Sequence, residues 1–156
     1  DEALHEMWRV LRPGGRVCVA VFDSLERVPA YAAIASIYEE VAGPAVGNAL
    51  RLPFSMGDPE ELPARMERAG IPGPDVTTHD GIAQFKSARH LVRADVEGWF
   101  PFAGLHLDDE TIDELEDRVT AQLGASMRSG GDIRFDVSVH IVRASKATPA
   151  DGALRR

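Results

Sequence analysis

A helix that stops at a Pro-Gly-Gly turn and runs at once into an apolar strand constrains this chain more than any other stretch. It is RVLRPGGRVCVAVFD, Arg9 to Asp23. Leu11 closes a helical pattern, Pro13 cannot extend it, and Gly14-Gly15 give the freedom in φ that a sharp reversal needs. Val17, Cys18, Val19, Ala20, Val21 and Phe22 show no alternation of polar and apolar side chains, which predicts a strand covered on both faces. Such strands belong to the middle of parallel α/β sheets. Before the turn, Leu4, Met7, Trp8 and Leu11 make one stripe of an amphipathic helix. Helix, turn and strand are then half of a βαβ unit, whose right-handed crossover requires an earlier partner strand. A chain that starts at Asp1, inside that helix, reads as a fragment of something longer.

The totals narrow the classes of partner. With 156 residues, 44% hydrophobic and 27% charged, the chain has the size and make-up of one soluble globular domain. Its net charge of −8 is spread along the sequence, which disfavours nucleic acid or any partner held through phosphates. Cys18 is the only cysteine, so no intrachain disulfide forms, and its place between valines predicts a buried, inert thiol. No apolar run reaches the length of a membrane span and no basic-then-apolar leader opens the chain. A cytoplasmic protein is the expectation.

Taken in order, the sequence predicts a second helix after Asp23, with Pro29 in its first turn and Tyr31, Ile34, Ile37, Tyr38 and Val41 on one face. Gly43-Pro44 stops it, and 45–57 reads as a loop with apolar cargo. Asp58-Pro59-Glu60-Glu61 is a helix start, with Asp58 as cap and Glu61 at the capping-box position, and Gly70 ends that helix. A strand is expected over 75–79, extended past a bend by 81–85, then a short helix capped by Ser87 and running through Val96. Trp99-Phe100-Pro101-Phe102 reads either as a core plug or as one wall of an apolar pocket. Asp108 caps a helix that buries Ile112, Leu115, Val119 and Leu123 and turns Asp109, Glu110, Glu114, Glu116 and Asp117 to water. Gly130-Gly131 mark a turn into a final strand with Ile133, Phe135, Val137, Val139 and Ile141 on one side and Arg134, Asp136, Ser138 and His140 on the other. From Ala144 the chain reads as a polar tail, the domain spanning 1–146 and a disordered end 147–156.

Chemistry-bearing patterns are sparse. Histidines 5, 79, 90, 106 and 140 show no metal-site spacing, so no metal is expected. There is no Gly-x-Ser-x-Gly elbow and no phosphate loop, and Gly14-Gly15 precede a strand, where a dinucleotide fingerprint needs a helix.

The run Glu6 to Arg16, with Leu11-Arg12-Pro13-Gly14-Gly15 before an apolar strand, resembles the late signature of class I S-adenosylmethionine-dependent methyltransferases of the ubiquinone/menaquinone type. Phe54 to Pro59 with Leu62 and Ala69-Gly70-Ile71 is similar to that family's last helix leading into strand six, Gln84 to Ala88 resembles its insertion before strand seven, and Asp132 to Val142 looks like the antiparallel strand seven. The resemblance implies an α/β fold, namely the C-terminal half (strands five, six and seven with flanking helices) of a Rossmann-like sheet ordered 3-2-1-4-5-7-6. The front half, with its Gly-rich turn and ribose-binding acid, matches nothing here, so the resemblance places no cofactor-binding residue on this chain. It implies S-adenosylmethionine as cofactor of the complete enzyme and methyl transfer to a small apolar or aromatic acceptor, the isolated fragment being inactive. By position it assigns Phe22, Tyr31, Tyr38, Phe54, Met56, Phe85, Trp99 and Phe100 to the substrate side, and His79 or Asp23 as base. Two other readings stand beside it. One is a non-catalytic binding or dimerisation module that pairs across the bare edge of strand five, with a second copy or a separate N-terminal half as partner. The other is a different Rossmann-like enzyme such as a reductase, which an antiparallel last strand disfavours.

Overall fold

A computed structural model describes residues 1–124 and 132–148. The Gly130-Gly131 turn and the end of the tail from 149 onward lie outside the described residues. Six α-helices and three strands are seen among the described ones: α1 (Glu2–Val10), β1 (Arg16–Phe22), α2 (Pro29–Ala42), α3 (Pro44–Arg51), α4 (Glu61–Arg68), β2 (Asp75–Phe85), α5 (Ala88–Arg93), α6 (Asp109–Leu123) and β3 (Ile133–Ser145). Short 3-10 turns cover Leu25–Arg27, Leu52–Phe54 and Phe100–Ala103, and a π-helical turn covers Ala94–Trp99.

The strands form one sheet in the order β1-β3-β2, and β3 runs antiparallel to both neighbours. Consequently β1 and β2 point the same way, as strands joined by a helical crossover do. The predicted bend in β2 is absent, since its pairing with β3 is continuous from Asp75↔Arg143 to Phe85↔Ile133. The parallel neighbour expected for β1 is not among the described residues, where β1 is an edge strand.

Each face of the sheet is covered over only half its length. On one face Val17, Val142 and Ala144 pack with Leu4 of α1 and with Leu62 and Met66 of α4. On the other, Ile133 and Phe135 carry the larger core, built with α2, α3, α5 and α6 around Ile34, Tyr38, Leu91, Phe100 and Leu115. Burial along β3 therefore switches sides at Val137-Ser138. This corrects the double burial predicted for β1. Val17 is buried and Val19 and Val21 are half-buried, but Cys18, Ala20 and Phe22 on the opposite face are exposed. The Cys18 thiol is exposed as well, not buried.

Local signals explain the remaining elements. Asp58 Oδ1 accepts the amides of Glu60 at 2.8 Å and Glu61 at 3.3 Å, and Leu62 N bonds to Asp58 O, so Asp58 caps α4. Glu61 does not close a capping box and pairs instead with Arg68. Ser87 and Asp108 accept His90 N and Thr111 N as caps of α5 and α6. Hydrogen bonding to the Thr111 amide holds the Asp108 carboxyl below its usual range. Residues 45–57 are not a loop, because Pro44 starts α3 at its first position and Val46, Ala49 and Leu50 bury one side. The tail likewise begins later than expected. Ala144 and Ser145 belong to β3, and Lys146 continues the ladder with Gly14 and Gly15.

Candidate functional site

In sheets with parallel strands, ligand sites lie beyond the carboxyl ends of those strands. The carboxyl ends of β1 and β2 here carry Phe22 and Phe85, and between them runs a chain of aromatic contacts. The Phe22 and Phe54 rings are 5.0 Å apart, Phe54 and Tyr31 5.3 Å, Tyr31 and Phe135 5.3 Å edge-on, and Phe135 and Phe85 6.1 Å in a stack. Four sequence-predicted residues, Phe22, Tyr31, Phe54 and Phe85, thus meet in one ledge. Phe135 joins them, although the sequence offered it only as an inward residue of the last strand.

Beside this ledge lies the uncovered half of the sheet. Pairing puts Phe22, Val139 and His79 in one row across the three strands, and Ala20, Ile141 and Thr77 in the next. Successive residues on a strand alternate faces, so these two rows share a face. Ala20, Val21, Phe22, Pro53 and Val139 line a shallow depression of about 250 Å³ there. His79 is exposed, its Nε2 3.0 Å from Thr77 Oγ1.

Asp23 belongs to the opposite face, within a buried polar cluster. Ser138 Oγ donates to Asp23 Oδ2 at 2.7 Å and Ser24 N to Oδ1 at 2.7 Å, while His140 Nε2 lies 3.2 Å from Oδ1. The same Nε2 is 3.1 Å from Gly57 O, and Nδ1 is 2.9 Å from Thr78 Oγ1. Two acceptors around Nε2 require a proton on that nitrogen, which fixes the tautomer of a neutral ring. Burial pushes the Asp23 carboxyl up, but the Ser138 and Ser24 hydrogen bonds and the nearby His140 and Arg27 outweigh it and leave it below the usual carboxylate range. Serine, histidine and aspartate are present, yet the serine donates to the aspartate and not to the histidine, so nothing here activates a nucleophile. The cluster joins β1, β2, β3 and the segment after Phe54. Gly57 is required in it, because a Cβ there would lie 2.3 Å from the backbone of Asp23 and Ser24.

Most of the ledge is itself core, with Phe54 and Phe135 buried, Tyr31 and Phe85 half-buried and only Phe22 exposed, and the remaining aromatic candidates lie in the same core. Tyr38 and Phe100 are fully buried with rings edge-on at 5.7 Å, Tyr38 donates to Asp95 Oδ2 at 3.2 Å, and Trp99 Nε1 donates to Ala49 O at 2.8 Å. Met56 is half-buried against the α1 and α4 side, away from the ledge. Phe102, in the same aromatic run, is 86% exposed. Burial, with the Asp95 carboxyl close by, pushes the Tyr31 and Tyr38 phenols up. Burial also raises Asp95 to about 7, against the lowering effect of the Tyr38 hydrogen bond. Glu116 corrects another expectation: predicted to face water, it is 3% exposed and takes Arg93 at 3.0 Å and Arg89 at 2.7 Å. Asp95, Glu116 and His140 were missed because each sits at a polar position in its pattern. Arg89 and Arg93, one turn apart on α5 and 27 and 23 positions before Glu116, were the available hint for it.

Neither the Pro-Gly-Gly turn nor Asp23 fits S-adenosylmethionine. Gly14 N is bonded to Lys146 O and Gly15 N to Arg12 O, so neither amide is free to cradle a ligand, and the Asp23 oxygens that might take a ribose are already held. Among the described residues no group of histidine, cysteine and carboxylate side chains could hold a metal, and no helix is long and apolar enough to cross a membrane.

No family model matches the chain, and no curated protein matches it. Among solved structures, one from Bacillus halodurans C-125, provisionally described as a methyltransferase, is similar over 93% of this chain and 57% of its own, with 16% identity and a TM-score of 0.44. The chain therefore spans little more than half the length of that protein.

Proposed function

We propose that this chain is the acceptor-side half of a class I S-adenosylmethionine-dependent methyltransferase, whose complete form methylates a small apolar or aromatic acceptor. The observation that carries the reading is the strand order. β3 lies between β1 and β2 and antiparallel to both, which is the arrangement that the resemblance gives to strands five, seven and six. The Pro-Gly-Gly turn before β1 and the open outer edge of β1 agree with it. In-line methyl transfer depends on holding the acceptor and keeping water away, and Phe22, the exposed end of the aromatic chain, offers a surface for both tasks that the half-buried Tyr31 and Phe85 and the buried Phe54 and Phe135 back. Tyr38, Trp99 and Phe100 support that surface from behind. For an acceptor that must lose a proton, His79 is the better placed of the two base candidates, since it shares a row with Phe22 while Asp23 is buried and fully bonded.

Titration calorimetry with S-adenosylhomocysteine tests the division of labour. The chain alone gives no binding heat. Measurable binding would put the cofactor site within this chain and overturn the half-enzyme reading. A second reading, a non-catalytic module that pairs through β1, is favoured by the exposure of Ala20 and Phe22 beside an edge that has no partner among the described residues. It predicts a dimer in sedimentation.

A further inference from the structure

A cavity of about 670 Å³ opens where β1 ends, between the start of α2, the end of α6 and the edge of β3. β1 pairs with β3 only as far as Phe22↔Val139, followed by the single bond from Asp23 N to Ser138 O. That bond sets the direction of the even-numbered residues of β3. The backbone N–H groups of Arg134 and Asp136 are therefore aimed at a side where, among the described residues, no strand meets them. Two guanidinium groups line the cavity. Arg134 is half-buried and makes no ion pair among the described residues, and its Nε is buried without a hydrogen-bond partner. Segment 125–131 contains no Asp or Glu, and the carboxyl of Asp132 takes Gln84 Nε2 at 3.4 Å. Arg27 is mostly exposed and lies 3.6 Å from Asp23 Oδ2, an oxygen that Ser138 already holds. Gln122 adds a side-chain amide, and Ala30, Leu123 and Phe135 give the cavity its apolar lining. The start of α2, where Pro29 and Ala30 line the cavity, has no side-chain cap and no acidic residue in its first turn, so it adds partial positive charge.

We propose that this cavity binds a small organic carboxylate with an apolar or aromatic body, the carboxylate taken by Arg134 and Arg27 and the body laid on Ala30, Leu123 and Phe135. A buried guanidinium N–H without an acceptor is costly, and the planar fork of such a group matches a carboxylate through two parallel hydrogen bonds. The carboxylates already present limit the ligand's charge. Asp136 lines the same cavity and Asp23 stands beside Arg27, so a doubly charged phosphate is repelled more strongly than a singly charged carboxylate. The volume suits a small molecule with a few polar groups to orient it. Phe135 is also part of the aromatic chain, its ring 5.3 Å from that of Tyr31, so a ligand resting on it lies next to the ledge. The assignment is independent of methyl transfer, since it uses no cofactor and neither Phe22 nor His79.

Titration of the full chain with benzoate, followed by two-dimensional nitrogen–proton spectra, tests the site. Millimolar benzoate shifts the backbone amides of Ala30, Arg134 and Asp136 and the side-chain amide of Gln122. Benzamide, of the same shape but uncharged, leaves them in place. Arg134→Gln and Arg27→Gln each weaken benzoate binding about tenfold, the effect of losing one charge-assisted hydrogen bond. Arg27 is on the surface, so its variant reads the site even if Arg134→Gln does not fold. Absence of benzoate-dependent shifts at these residues overturns the proposal, and so does an equal response to benzamide, which marks an apolar surface without an anion site. Benzoate binding unchanged in both variants also counts against it. Inorganic phosphate acting on the same amides at lower concentration than benzoate would overturn the choice of a carboxylate.

Discussion

Asp23 is a buried carboxyl and Asp95 a half-buried one, and the chain treats them in opposite ways. Asp23 collects a hydroxyl, an amide and the His140 ring, and its carboxyl lies below the ordinary value despite burial. Its contribution to stability is therefore present above about pH 4 and is lost as pH falls through its folded value. Asp23→Asn, which keeps the shape and removes the charge, lowers the urea midpoint at pH 7 by the equivalent of about 2 kcal/mol and flattens the acid limb below pH 4. Equal losses at pH 7 and pH 3 would mean that the charge is irrelevant and only the packing matters. Neither environment was legible in the sequence. Asp23 follows an apolar strand, as many loop residues do, and its partners Ser138 and His140 are 115 and 117 positions away in a strand whose alternation marked them as outward. They do alternate outward from Phe135, but the core changes sides at that point of β3, so the outward face becomes the buried one.

Among the elements, the helices with a complete set of end signals were readable and those whose glycines serve contact were not. Helix α4 has both ends written in the sequence. Gly70, at φ +83°, closes it with Gly70 N on Glu67 O and Ile71 N on Met66 O, the paired bonds of a Schellman ending. Gly70→Ala forces a side chain into the left-handed region and costs about 1 kcal/mol, seen as a fall of a few degrees in the thermal midpoint. An unchanged midpoint would show that the ending carries no strain. Helix α3 was misread as a loop because Gly47, Pro53 and Gly57 look like punctuation. Gly47 is there for a different reason: a Cβ at that position would lie 2.7 Å from Glu39 Cβ, so the glycine lets α2 and α3 approach. The aromatic ledge was half legible for a similar reason. Position along the chain suggested Phe22, Tyr31, Phe54 and Phe85, but only the pairing of β3 with β2 brings Phe135 between Tyr31 and Phe85.

At the scale of the whole molecule, the prediction of a doubly covered β1 is wrong for these residues and informative for that reason. An apolar strand with no polar alternation has an exposed side that includes Cys18, Ala20 and Phe22, and an outer edge with no partner among the described residues. The direction of its backbone groups follows from one bond. Asp23 N donates to Ser138 O across β3, so the odd-numbered residues of β1 bond inward and Cys18, Ala20 and Phe22 present their amides to the open edge. Ala20→Pro therefore removes a donor from the edge without removing one from the β1–β3 ladder, and leaves the fold within about 1 kcal/mol of the parent. If β1 is the seam through which this chain joins another, sedimentation equilibrium shows the parent's average mass rising with concentration and the proline variant staying at the monomer mass. Association that survives Ala20→Pro would move the contact off the strand edge and onto the uncovered face, where Phe22, Val139 and Ile141 would have to carry it by side-chain packing alone.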